Sequence, residues 1–178
     1  MPTMKVLARR FNIYLALAFL LGLACGCQTG KKPLTAALRV HIETSPDPTG
    51  TSQNISMLRS DHVLITIKRE PILTEANIVL AKVIDNLGDF ALEIKFDENG
   101  TWLLEQYSAA NPGGHFVIWG QWSEKPVDSR WLAAPIITHR ISNGVLSFNV
   151  DISSREEADQ FVLGLNNAAK KIRKHLLK

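Results

Sequence analysis

Apolar and polar residues alternate along several short stretches of this chain and then, toward its end, recur at a spacing of three and four. Leu38 to Thr44 sets Val40 and Ile42 on one side and Arg39, His41 and Glu43 on the other, as a strand with one buried face requires. Ser45 to Asn54, with two prolines and a glycine among small polar residues, predicts a loop. His62 to Lys68 alternates again through Val63, Ile65 and Ile67, and Pro71 to Thr74 is extended, with Thr74 placed to cap a turn at Glu75 to Asn77. Val79 to Ile84 and Phe90 to Phe96 flank Asn86-Leu87-Gly88-Asp89 and predict a hairpin with Leu92, Ile94 and Phe96 on one face. From Asp97 the period changes to helical, with Leu103, Tyr107 and Ala110 sharing a face until Asn111-Pro112-Gly113-Gly114 stops it. His115 to Trp119 reads as a strand and Gly120 to Arg130 as a polar loop. Ala134 to Ile141 and Val145 to Ile152 read as a hairpin turning at Asn143-Gly144, a pair that tolerates positive φ. Ser153 and Glu156 have capping-box spacing before a helix with Ala158, Phe161, Leu165, Ala168, Ile172 and Leu176 along one face. The expected class is α+β, a mostly antiparallel sheet with two amphipathic helices packed on one face.

The N-terminal residues follow a different pattern. Lys5, Arg9 and Arg10 precede an apolar run from Ile13 to Ala24 that is too short to span a bilayer, and small residues follow it, as in an export signal. Leu23-Ala24-Cys25-Gly26-Cys27 resembles the lipobox of bacterial lipoproteins, in which a cysteine becomes the lipidated first residue, and either Cys25 or Cys27 fits. The two alternatives are a signal peptide cut after Ala24 and an uncleaved short anchor. The lipobox resemblance implies a signal peptide over residues 1–26, a tether over 27–34 and a domain over 35–178. It also implies membrane attachment through an N-terminal lipid, with the body in water.

Composition changes the picture in two ways. The sequence has 20 lysines and arginines against 17 acids, and removing Lys5, Arg9 and Arg10 leaves 17 against 17. The basic balance therefore belongs to the signal, and a nucleic-acid partner is not expected. Both cysteines lie at the signal boundary, so the domain has none with which to form a disulfide. It is expected to be a monomer stabilised by packing, with no cofactor.

Three stretches carry a resemblance to a known family: Glu70 to Ile78 (EPILTEANI), Leu92 to Tyr107 (LEIKFDENGTWLLEQY) and Ala133 to Phe161 (AAPIITHRISNGVLSFNVDISSREEADQF). Within them Pro71-Ile72-Leu73-Thr74, Ile94-Lys95-Phe96-Asp97-Glu98-Asn99-Gly100, Ala134-Pro135-Ile136-Ile137 and Ile152-Ser153-Ser154-Arg155-Glu156-Glu157-Ala158 fall in the order and at the spacing found in the head of the periplasmic domain of SecD, a subunit of the bacterial protein-export machinery. The chain resembles that head over roughly residues 62–170. It departs from the pattern where Asn143-Gly144 stands for a double glycine and where the segment from Trp119 to Trp131 is longer. After Cys27 no apolar run is long enough to cross a bilayer. The resemblance thus implies a lipid-tethered head in the bacterial cell envelope, in the periplasm or outside the cell, contacting exported polypeptide or export-machinery proteins. The alternative is a structural or interaction lipoprotein with no role in export.

Enzyme signatures are missing. The sequence has no G-x-S-x-G, no H-E-x-x-H and no Gly-rich phosphate loop, and its five histidines, His41, His62, His115, His139 and His175, lack ligand spacing. No catalytic residue and no metal site is expected. Glu156-Glu157 sits where a helix N-terminus favours negative charge. Trp119, Trp122 and Trp131 bracket the long loop and are the candidate polypeptide contact. Trp119 and Trp131 can equally end strands and point inward, whereas Trp122, between Gln121 and Ser123, is expected to be exposed. Lys170, Lys171, Arg173 and Lys174 make the last turns basic. They either complement the helix dipole or contact anionic head groups.

Overall fold

The computed structural model describes residues 34–57, 63–86, 88–122 and 128–176. Among these described residues nine strands, β1 (Ala37–Ile42), β2 (Ser52–Met57), β3 (Val63–Lys68), β4 (Leu73–Thr74), β5 (Ile78–Asn86), β6 (Asp89–Phe96), β7 (Phe116–Trp122), β8 (Asp128–Ala133) and β9 (Val145–Asn149), are joined by two α-helices, α1 (Glu98–Ala110) and α2 (Arg155–Leu176). Every pairing between these strands is antiparallel. The strands form a four-stranded sheet in the order β4-β1-β7-β8, a three-stranded sheet β5-β6-β9 and the hairpin β2-β3. The Asp151 N–H donates to the Leu132 carbonyl at 2.9 Å, joining the chain after β9 to the β8 edge.

Alternation in β1 and β7 divides the four-stranded sheet into two faces. Leu38 and Val40 are fully buried opposite Gly120 and Ile118, and this inner face meets α2. Gly120 is required there, since a Cβ would stand 2.5 Å from Leu132 Cδ1 and 3.0 Å from Phe161 Cζ. Phe161, Leu165 and Leu104 of the two helices join Leu92, Ile94 and Phe96 of β6 in one cluster, which holds the largest share of the buried apolar side chains. On the outer face, Val117 packs with Ile55, Met57, Ile65 and Ile67 of β2-β3 in a second cluster.

Local chemistry explains the element ends. Thr74 and Asn77 form a reciprocal capping box around a 3-10 turn at Glu75–Asn77. Asp97 Oδ1 accepts from the Gly100 N–H at 2.7 Å and caps α1. For α2 the capping oxygen is Ser154 Oγ, 3.2 Å from the Glu157 N–H, one residue later than the expected Ser153–Glu156 box.

The structure corrects four other expectations. The expected loop over 45–54 ends earlier, because Ser52 already pairs with Lys68. The buried positions of α1 are Gly100, Leu104 and Ser108, one step round from Leu103, Tyr107 and Ala110. Gly100 causes the shift by letting the helix sit against β6, where a Cβ would lie 2.8 Å from that of Phe96. Gly120 to Arg130 is largely hairpin, β7 running to Trp122 and β8 starting at Asp128. Finally, Ala134 to Ile141 does not pair with Val145 to Ile152. Residues 135–137 extend the β7-β8 hairpin through Phe116 N to Pro135 O (3.1 Å) and Ile137 N to Gly114 O (2.8 Å), while β9 pairs with β6. Gly144 does take a positive φ of 69°. Its carbonyl accepts from the Phe96 N–H at 2.9 Å, so the turn serves β6.

Candidate functional site

The outer face of the four-stranded sheet brings together two of the three singled-out tryptophans. Register sets Arg39 opposite Trp119 and Trp119 opposite Trp131, so the three side chains form a row across β1, β7 and β8. The Arg39 guanidinium lies 5.1 Å from the Trp119 ring centre. Arg39 is exposed and Trp119 half-buried. Trp131, also half-buried, meets the His41 ring edge-on at 5.5 Å. His41 is 5% exposed, and its Nδ1 lies 2.9 Å from the Lys68 carbonyl. Burial lowers its pKa below the ordinary 6.5, with the positive Arg39 adding to the effect and the bond to Lys68 opposing it. The neutral ring donating from Nδ1 therefore fastens β1 to the end of β3.

Trp122 does not belong to that face, and its expected exposure is overturned. It is 4% exposed, with its ring 5.1 Å from Phe161 and the Arg130 guanidinium 4.9 Å above it. Gln121 and the neighbouring serine disguise it in the sequence. With β7 extended, Trp122 has the parity of Ile118 and Gly120 and turns inward, while Gln121 turns out. Arg130 is held by Glu157 at 2.9 Å and by Asp128 at 3.7 Å, clamping β8 to the first turn of α2. Its Nε is buried and finds no partner among the described residues.

The other histidines stay apart. His115 Nδ1 is 2.6 Å from Glu43 Oε2, His139 Nδ1 is 2.9 Å from Thr138 Oγ1, and His175 is exposed on the last turn of α2. His62 lies outside the described residues, as do Cys25 and Cys27. No group of three possible metal ligands occurs among the described residues, and no helix among them is long and apolar enough to cross a membrane.

A second surface forms at the C-terminal end of α2. Lys170, Lys171, Arg173 and Lys174 are all exposed there, and Arg173 also donates to the Ala169 carbonyl at 3.5 Å and the Val79 carbonyl at 3.4 Å. Sequence reasoning missed what this helix does for the start of the domain. Asn167 Nδ2 donates to the Leu34 carbonyl at 3.0 Å, and Gly164 meets Ala36 so closely that a Cβ would stand 2.9 Å from the alanine's own. Gly164 carried a signal, as a glycine inside an otherwise strong helical pattern.

No protein-family model matches the chain, and no curated protein does. Two of the solved structures that share its fold are forms of SecDF. One is SecDF described as a membrane component that enhances protein export, with a TM-score of 0.52 and 20% identity over 75% of this chain and 63% of that one. The other is SecDF in a super-membrane-facing form, with a TM-score of 0.52 and 21% identity over 74% of this chain and 18% of that one. The chain thus spans under two thirds of the length of either SecDF structure. With its antiparallel sheets and two helices, the described domain has the SecD-head-like fold.

Proposed function

We propose that this is a lipid-anchored protein of the bacterial envelope whose SecD-head-like domain contacts exported polypeptide or proteins of the export machinery, acting by binding and catalysing no reaction. The observation that carries the reading is the fold shared with SecDF over about three quarters of the chain. The sequence pattern supports the anchor, with an export-type apolar run ending at Cys25 and Cys27. The contact surface is the outer row of Arg39 and Trp119, an aromatic plane with a cation beside it that accepts main-chain and side-chain groups of many sequences. Such a surface has no deep pocket, so its affinity is about micromolar or weaker, and the bound chain is released readily.

The second reading, a structural lipoprotein with no role in export, draws on the burial of Trp122, which withdraws one of the three aromatic side chains from any contact. A photoreactive residue at position 39 separates the two in living cells. Crosslinks to many polypeptides in transit, reduced several-fold by Trp119→Ala, support the first reading. Crosslinks to a protein of the export machinery also support the first, whereas crosslinks to a single envelope protein outside that machinery, or to none, support the second.

A further inference from the structure

The apolar stripe that seats α2 on the core does not stop where the core stops. Ala169 is buried, Ile172 is half-buried and Leu176 is 78% exposed, so the stripe runs on into solvent. Beside it lies a groove of about 590 Å³ with Ala36, Trp122, Ala168, Ile172 and Leu176 on its apolar side and Lys171 and His175 on its rim. Glu75 also borders the groove, but its carboxylate accepts the Leu38 N–H at 3.3 Å. Around the same two turns stand Lys170, Lys171, Arg173 and Lys174. Among the described residues none of these four takes part in an ion pair. No acid follows Asp159, so nothing later on the helix offsets their charge.

The start of the domain is tied to this helix. Leu34 is bonded to Asn167, and Ala36 abuts Gly164, so the described domain begins beside the middle of α2. Fully extended, the residues between Cys25 or Cys27 and Leu34 reach no more than about 30 Å. A chain anchored at either cysteine therefore keeps the basic end of α2 close to the lipid surface. At that distance a weak surface contact becomes an intramolecular one, favoured by a high effective concentration.

We propose that the last two turns of α2 dock end-on against an anionic lipid surface, Lys170, Lys171, Arg173 and Lys174 engaging head-group phosphates while Ile172 and Leu176 enter the interfacial layer. An end-on approach lets side chains on every side of the helix reach the head groups, which a helix lying flat does not. Charge and exposed apolar area act together here, as in other interfacial helices. This proposal rests on the lipid-anchor reading above, and its consequence is a fixed orientation: the domain sits on its anchored end instead of swinging on its tether.

The full-length protein, extracted with its native N-terminus, is reconstituted into vesicles of phosphatidylcholine alone or mixed with phosphatidylglycerol, each carrying a lipid with a photoreactive head group. Labelled peptides are then mapped by mass spectrometry. The expected result is label concentrated on residues 170–176 in the phosphatidylglycerol vesicles. It falls at least about tenfold in phosphatidylcholine, and equally in the variant combining Lys170→Gln, Lys171→Gln, Arg173→Gln and Lys174→Gln. These four side chains are exposed and among the described residues only Arg173 bonds outside its helix, to the Val79 carbonyl, so the variant stays folded with a modestly lowered thermal midpoint, which is checked in the same preparation. Label spread over the whole domain, or unchanged by the four substitutions, overturns the docking. Intact mass of the same sample reports acylation separately. An acylated protein without label on α2 removes the docking and leaves the anchor, whereas an unacylated protein removes the anchor, with the docking still judged by where the label falls.

Discussion

Trp119 and Trp122 stand three residues apart on one strand and have opposite surroundings, because alternation turns one toward Arg39 and the other toward Phe161. Their alanine variants should therefore separate. Trp122→Ala empties a site between Phe161 and Arg130 and should cost about 3 kcal/mol or more. Trp119→Ala, at a half-buried position, should cost about 1 kcal/mol. Urea titrations of both variants measure the difference, and equal midpoints would contradict the burial of Trp122. His41 makes a second residue-scale prediction. Burial holds its folded-state pKa below the ordinary 6.5, so the unfolded chain takes up the proton first as pH falls. The stability contributed by the neutral ring is complete above that ordinary value, declines as pH drops below it, and is fully lost once the lowered folded-state value is passed. Stability measured from about pH 8 to about pH 5 should fall more steeply in the parent than in His41→Gln, which has no titrating ring at that place. Parallel pH profiles would mean that the ring is not held neutral.

Among the elements, β5 owes its second edge to a helix side chain. Asn166 Oδ1 accepts from the Ala81 N–H and its Nδ2 donates to the Ala81 carbonyl, both at 2.9 Å, as a neighbouring strand would. Ala81 is 2% exposed, so Asn166→Ala strands a buried donor and acceptor together. The expected cost is about 1–3 kcal/mol, with amide exchange at Ala81 accelerated ahead of that in the centre of β6, a pattern that NMR resolves. Unchanged protection at Ala81 would show that the amide bonds elsewhere. The same scale shows what was legible in the sequence. The β5-β6 hairpin and α2 were, because their apolar periods and end chemistry are local. The partner of β9 was not, since the alternation of Leu146 and Phe148 is satisfied equally by β6 or by the preceding segment, and only long-range packing chooses between them. β2 was hidden because Ser52, Gln53 and Asn54 are loop-forming residues, and their strand is induced by pairing with β3. Of the candidate site, only the strand character of Trp119 and Trp131 was legible: they stand inside β7 and β8, not at strand ends, and half-buried on the outer face, not in the core. The inward turn of Trp122 was not, because it depends on how far β7 continues.

For the molecule as a whole, the cysteines make the sharpest prediction. The described domain is packed around two apolar clusters, and the sequence holds no cysteine after Cys27. Both cysteines lie where small residues follow an apolar run, and a lipid-modified cysteine must be the first residue of the mature chain. On the anchor reading cleavage precedes one of them, and the two choices differ in mass by one cysteine and one glycine: a mature chain starting at Cys25 carries Cys25-Gly26 ahead of Cys27, and one starting at Cys27 does not. Intact mass of detergent-extracted protein should show one acylated N-terminus. If Cys25 carries the lipid, Cys27→Ser stays in the membrane fraction and Cys25→Ser does not; if Cys27 carries it, the result is reversed. The double variant should lose lipidation in either case and accumulate unprocessed or in the soluble fraction. Several acyl chains on one residue give effectively stable attachment, whereas one is marginal, so the parent should resist extraction by high salt and alkali and yield only to detergent. A parent protein recovered in the soluble fraction with an unmodified N-terminus beyond Cys27 would end the anchor reading, and with it the argument that a short tether holds the basic end of α2 at the lipid surface.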